Sequence, residues 1–392
     1  MFNECSGNCI TCGKCAAVPI LEGFRAGGQP FTPRQGYGIA IDIGTTTVVL
    51  ALINLGTGKA EARHSFMNPQ RAFGPDVISR IDAANKGHLP ELSRMITDSI
   101  SEGITALLTA KGVPPGDVTD ITIAGNTVMT HLLLGFPCES LGVVPFKPVH
   151  TLEESYDSTI LFGPSGVRCG VRIAPWLAAY VGGDITAGLL HVLPESKRRF
   201  MLMDLGTNGE IALYDDGHLT VTATAAGPAF EQPVMASQGK QAFQGASGVI
   251  SALAALVREE IVDETGVLED ERVFTQKQVR DLQLAKSAIR SGLEILLEIG
   301  GHRYTDLDTV YLAGGIGQAM NIQDAVQIGL IPQELEAKAR PAGNASLGGA
   351  AALLTDPAGT AANVEILLPT VKEINLAAHP SFNERFMEYM FF

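Results

Sequence analysis

Basic side chains are scarce in this sequence, and no hydrophobic run in it is long. Lysine and arginine together number 28 against 42 aspartates and glutamates, giving a formal net charge of -14 over 392 residues. A nucleic-acid partner needs basic surface to neutralise its phosphates, so this balance argues against one. The basic cluster Lys197-Arg198-Arg199 reads as a solvated helix end. The most apolar stretch, around Tyr180 to Leu193, is interrupted by Asp184 and His191 and by three glycines, which excludes a bilayer span. Where a secretory leader would place basic residues and then an apolar run, the chain has an acid and cysteines. A cytoplasmic protein with no membrane partner is therefore expected. A disulfide framework is missing too: four of the six cysteines fall within the first fifteen residues.

Apolar residues, by contrast, make up 46% of the chain and charged ones 18%, enough to build large buried cores in two or three domains. Residues 1–22 form a four-cysteine module. Residues 23–36, with Gly23, Gly27, Gly28, Pro30, Pro33 and Gly36, read as an irregular, flexible linker. Regular structure is expected from Tyr37, with a first lobe over 37–180 and a second over 181–392, the C-terminal helices being free to return to the first.

One local pattern occurs twice. Gly38 to Asp42 reads as a buried strand, followed by the turn Gly44-Thr45-Thr46-Thr47, a strand Val48 to Ile53 and a glycine-bearing hairpin at Asn54 to Gly58. Phe200 to Asp204 repeats the strand, Gly206-Thr207-Asn208-Gly209 the turn, Glu210 to Tyr214 the second strand and Asp215-Asp216-Gly217 the hairpin. A second match follows: Asp120 to Ala124 leads through Gly125-Asn126 into a helix, and Thr309 to Ala313 leads through Gly314-Gly315 into another. Matching hairpins and matching strand–glycine–helix joints are the signature of a duplicated α/β protein. Two helices with apolar stripes, Leu92 to Leu107 and Val279 to Leu296, complete the outline.

The repeated turn suits a triphosphate. Glycines let backbone N–H groups approach closely, and threonine hydroxyls add short hydrogen bonds without charge. Asp42 and Asp204, at the strand ends, suit Mg²⁺ held through water. One turn from each half, Gly44 to Thr47 and Gly206 to Gly209, would clamp the phosphates, and Gly314-Gly315 would let adenine and ribose lie against the backbone. Hydrolysis asks for a carboxylate to orient water. Asp184, Glu210 and Glu231 are candidates, although Asp184 also stands where a helix N-cap would, and strand alternation could send Glu210 to solvent.

Cys5, Cys9, Cys12 and Cys15 lie so close that each short loop returns the chain to one centre, the pattern of a shared metal site. Stacked short spacings favour an iron–sulfur cluster of [4Fe–4S] type, with structural zinc as the alternative. Cys138 and Cys169 stand alone and read as core or surface thiols.

The segments Asp42 to Thr47, Asp204 to Glu210 and Leu312 to Gly315 resemble the two phosphate motifs and the adenosine motif of the acetate/sugar kinase, Hsp70 and actin superfamily. Together with Ala124 to Thr127, Gly183 to Gly188, Ala226 to Glu231 and Leu284 to Ile289, the chain from residue 37 onward resembles the reductive activators of corrinoid proteins. That resemblance implies a duplicated two-lobed α/β fold, a homodimer, and an ATPase driving a low-potential electron onto a Co(II) corrinoid protein or a similar metalloprotein. An electron donor would be a further partner. On the residues alone two other readings stay open: a small-molecule kinase of the same superfamily, and a nucleotide-gated scaffold carrying a zinc knob.

Overall fold

In the computed structural model the described residues are 33–392, apart from 145, 149–151, 153–154, 197, 207, 228, 231–233, 236–240, 244, 270–272 and 318–319. The four-cysteine module, most of the linker, Thr207 and Glu231 therefore lie outside the described residues. The chain packs as two units, one running to Glu195 and taking in Ala345–Pro369, the other comprising Ser196–Asn344 and Thr370–Phe392. The helix Gly183–Val192, expected at the head of the second lobe, packs in the first unit, as does the returning segment Ala345–Pro369.

The first unit is built on β1 (Tyr37–Ile43), β2 (Thr47–Asn54), β3 (Lys59–Met67), β4 (Val118–Gly125), β5 (Tyr156–Asp157) and β6 (Gly170–Ile173), ordered β3-β2-β1-β4-β6-β5. In the second unit β7 (Arg199–Leu205), β8 (Gly209–Asp215) and β9 (His218–Thr224) form a meander. A small ribbon pairs β10 (Val234–Met235) with β11 (Gln241–Phe243), and β12 (Thr309–Ala313), β13 (Ala339–Gly343) and β14 (Val371–Glu373) follow. The second large sheet reads β13-β12-β7-β8-β9-β14. In both sheets the hairpin pairs are antiparallel and the central strand pairs parallel with the next strand inward, β1 with β4 and β7 with β12. The duplication expected from the sequence is thus a matched pairing of strands.

Alternation along β1 sends Ile39, Ile41 and Ile43 to one face, where they meet the stripe Leu92, Ile96, Ile100, Ile104 and Leu107 of the helix Leu89–Lys111. All of these are at most 1% exposed, and burying each such side chain stabilises the fold by roughly 1.5–3 kcal/mol. The other face carries small residues, Ala40, Ala51 and Ala124, against the helices Gly183–Val192 and Ala345–Thr355. These two helices touch backbone to backbone: a Cβ on Gly349 would lie 1.8 Å from the Ala187 carbonyl oxygen. Asp42 shares that small-residue face with Ala40, and this decides which helices surround it.

In the second unit Met201, Met203 and Leu205 of β7 pack into a core with Val279, Leu282, Ala285, Ile289, Leu293 and Leu296 of the helix Gln276–Gly300. Asp204 therefore lies on the opposite face. The helix's polar stripe holds the end of the chain. Gln283 donates to the Met390 carbonyl at 2.8 Å, Lys286 donates to the Phe391 carbonyl, and Ser287 donates to that of Phe386. The aromatic C-terminal run is thus seated on the second unit's own helix.

Candidate functional site

In the first unit the turn after β1 is closed by the Gly44 N–H donating to the Thr47 carbonyl at 3.0 Å. Asp42, at the end of β1, accepts a hydrogen bond from the Ser346 hydroxyl at 2.7 Å. Its in-register neighbour on β4 is Ala124, whose lack of bulk leaves room beside the carboxylate. Asn126 caps the helix Thr127–Leu134 by accepting from the Met129 N–H, and its amide donates to the Thr45 hydroxyl at 3.2 Å. Gly182 brings the next helix in: a Cβ there would stand 2.5 Å from Asn126 Cα. Asp42, Thr45, Asn126 and Asp184 are thereby collected at one end of the sheet.

Asp184 is not the helix cap. That position belongs to Gly182, and the Asp184 carboxylate accepts from the Ile185 N–H at 2.9 Å. Burial, with the neighbouring Asp42 carboxylate adding to it, pushes Asp184 up to about 7. Two acids that oppose each other's ionisation form a donor pair that a divalent cation would relieve.

The second turn closes one residue sooner, the Gly206 N–H donating to the Asn208 carbonyl at 2.9 Å. Asp204 pairs across the hairpin with Glu210, so the two carboxylates project from one face of the sheet. Glu210 is 6% exposed, which removes the alternative that strand alternation sends it to solvent. Gly314 and Gly315 separate by environment. Gly314 has φ +78°, and a Cβ there would come within 2.2 Å of Asp204 Oδ1 and 2.5 Å of the Leu205 carbonyl oxygen. Around Gly315 a Cβ would meet nothing within 4 Å. The first glycine is fixed by close packing, and the second leaves its backbone approachable.

Among the described residues no group of three or more histidine, cysteine or acidic side chains is gathered as a metal site. Carboxylate pairs suit Mg²⁺, which keeps most of its water and asks for one or two protein carboxylates. Cys138 and Cys169 are free, and burial pushes their thiols up to about 12 and about 11, as befits inert packing groups. No described helix is long and apolar enough to cross a membrane. Sequence reading missed Asn68 and Arg80, which touch the first turn, and Ser346, which touches Asp42; only their spatial neighbours reveal them.

Two halves of matched strand order, each with an aspartate-ended strand and a glycine turn, define the acetate/sugar kinase–Hsp70–actin class of α/β fold. Residues 37–193 match the RACo middle region, and residues 198–246 and 269–392 match the C-terminal domain of RACo, the ASKHA domain. The corrinoid activation enzyme RamQ of Eubacterium limosum is 32% identical, over 90% of this chain and 69% of its own length. The [Co(II) methylated amine-specific corrinoid protein] reductase of Methanosarcina barkeri is 22% identical, over 90% of this chain and 76% of its own. A solved structure titled reductive activator for corrinoid, iron–sulfur protein superposes with a TM-score of 0.79 at 30% identity, covering 92% of this chain. This chain spans 66% of that protein's length. The chain belongs to the family of reductive activators of corrinoid proteins.

Proposed function

We propose that this protein is an ATP-hydrolysing activator that delivers a low-potential electron to a corrinoid protein held in the inactive Co(II) state. One observation carries the reading: Asp42 and Asp204 end equivalent strands before equivalent turns, in a chain whose relatives are named for corrinoid activation. Mg-ATP, when bound, supplies the transferable phosphoryl group. Asp42 and Asp204 hold the cation's water, while Gly44 to Thr47 and Gly206 to Gly209 offer N–H and hydroxyl donors to the phosphates. Asp184 orients and deprotonates the attacking water. Glu210 supports the second aspartate, and Glu231, outside the described residues, stands as a further candidate acid on its sequence position alone. Gly315 accepts the adenosine against its open backbone.

Cys5, Cys9, Cys12 and Cys15 would hold the iron–sulfur cluster, a one-electron reservoir; this part rests on their spacing. A homodimer in the cytoplasm, supplied by a separate electron donor, completes the proposal. The test mixes anaerobic reduced protein with Co(II) corrinoid proteins and follows Co(I) absorbance with and without ATP. ATP-dependent appearance of Co(I), abolished by Cys9→Ser while basal hydrolysis persists, is the expected result. Reduction of another metalloprotein instead would remove the corrinoid assignment.

A further inference from the structure

The first phosphate turn is gripped from behind at three successive carbonyls. The Asn68 side-chain amide donates to the Gly44 carbonyl at 2.9 Å, and the Asn68 backbone N–H donates to that of Thr46 at 2.9 Å. Between them, Arg80 Nη2 donates to the Thr45 carbonyl at 2.6 Å. Arg80 is 0% exposed, an unusual place for a guanidinium. Its Nε donates to the Gly74 carbonyl at 3.2 Å, and its Nη1 lies 3.2 Å from Met129 Sδ. Among the described residues no carboxylate pairs with it; the nearby Asp76 caps its own helix by accepting from Ser79. A buried cation without a salt bridge is costly unless its position serves something.

A trans peptide sets each carbonyl opposite the N–H of the following residue. Holding the carbonyls of Gly44, Thr45 and Thr46 on the Asn68–Arg80 side therefore directs the N–H groups of Thr45, Thr46 and Thr47 to the other side. We propose that Arg80, with Asn68, is a positioning residue for phosphate recognition: it fixes the amide orientation of the first turn and places positive charge behind it. This rests on the nucleotide reading given above. Arg80 touches no phosphate in this role and acts through the Thr45 carbonyl.

The test compares wild type, Arg80→Lys, Arg80→Met and Asn68→Ala for equilibrium binding of Mg-ATP and, by competition, of adenosine. Thermal melts of the free proteins run alongside. Both Arg80 variants are expected to bind Mg-ATP at least about tenfold more weakly, the scale of one charged hydrogen bond, with adenosine affinity within about twofold of wild type. Lysine recovers part of the loss, since it keeps the charge but not the fork of donors. Asn68→Ala, should Arg80→Met fail to fold, is expected to show the same selective loss. Equal loss of adenosine and ATP in folded variants, or none of either, overturns the inference. Failure of the wild type itself to bind Mg-ATP sinks the nucleotide reading instead.

Discussion

Gly125 sits against the Ile43 carbonyl at the end of β1, where a Cβ would stand 3.0 Å from the oxygen; Gly314 sits against the Leu205 carbonyl at the end of β7, where the distance would be 2.5 Å. Ile43 pairs with Gly125, and Asp204 pairs with Ala313 just before Gly314, so the same joint has been built twice. What surrounds the joint has diverged. Asp42 meets Ser346 and the field of Asp184, both from helices, whereas Asp204 shares its sheet face with Glu210. Duplication has kept the strand register that aims each aspartate and has let the neighbouring side chains specialise.

The largest expected effect tests whether the two aspartates still do equivalent work. Asp42→Ala and Asp204→Ala should each lower Mg-dependent ATP turnover by at least about a hundredfold with unchanged circular dichroism, the scale of losing one transition-state contact. Wild-type turnover in one of them would show that only one half retains the function.

Next in size is the contrast between adjacent glycines. Gly314→Ala should cost at least about 2 kcal/mol in denaturant unfolding, because its backbone is left-handed and the Leu205 carbonyl cannot swing aside. Gly315→Ala, in open space, should stay within about 0.5 kcal/mol of wild type in stability and weaken nucleotide binding. If the two cost the same stability, their division into a packing glycine and an approachable glycine is wrong.

The smallest effect concerns the other end of the second unit. Burial, with Arg290 second, pulls the Lys286 ammonium down to about 7, against the Phe391 carbonyl and the Phe392 ring that favour its charged form. The unfolded chain keeps that proton to higher pH, so between about pH 7 and pH 10 it binds more protons than the native state, and stability should rise with pH. Urea midpoints of wild type minus Lys286→Met across that window check the slope. A flat difference would mean that the carbonyl and ring hold the ammonium charged.

The strands, turns and joints were legible because strong local signals agree: alternation, glycine placement and an aspartate at each strand end. The stripes of Leu89–Lys111 and Gln276–Gly300 were legible for the same reason. The helix Ala345–Thr355 gave no such contrast, since every residue in it is buried and most are small, so nothing in its pattern pointed to the face it covers. Arg80 was illegible because a single arginine in a short helix reads as solvated. Asp184 was placed at a helix start, but Gly182 took the cap because only glycine permits the approach to Asn126.

The backbone contact between Gly349 and Ala187 also bears on how the molecule is made. Helix Ala345–Thr355 closes the small-residue face of the first sheet and supplies Ser346 to Asp42, yet it leaves the ribosome only after the second sheet's strands β7 to β13. During synthesis the first sheet therefore waits with Ala40, Ala51 and Ala124 uncovered, while the intervening segment Ser196–Asn344 can assemble. A nascent chain stalled before Ala345 should expose this face to chaperones and proteases, and release from that exposure should come with translation of the helix Ala345–Thr355.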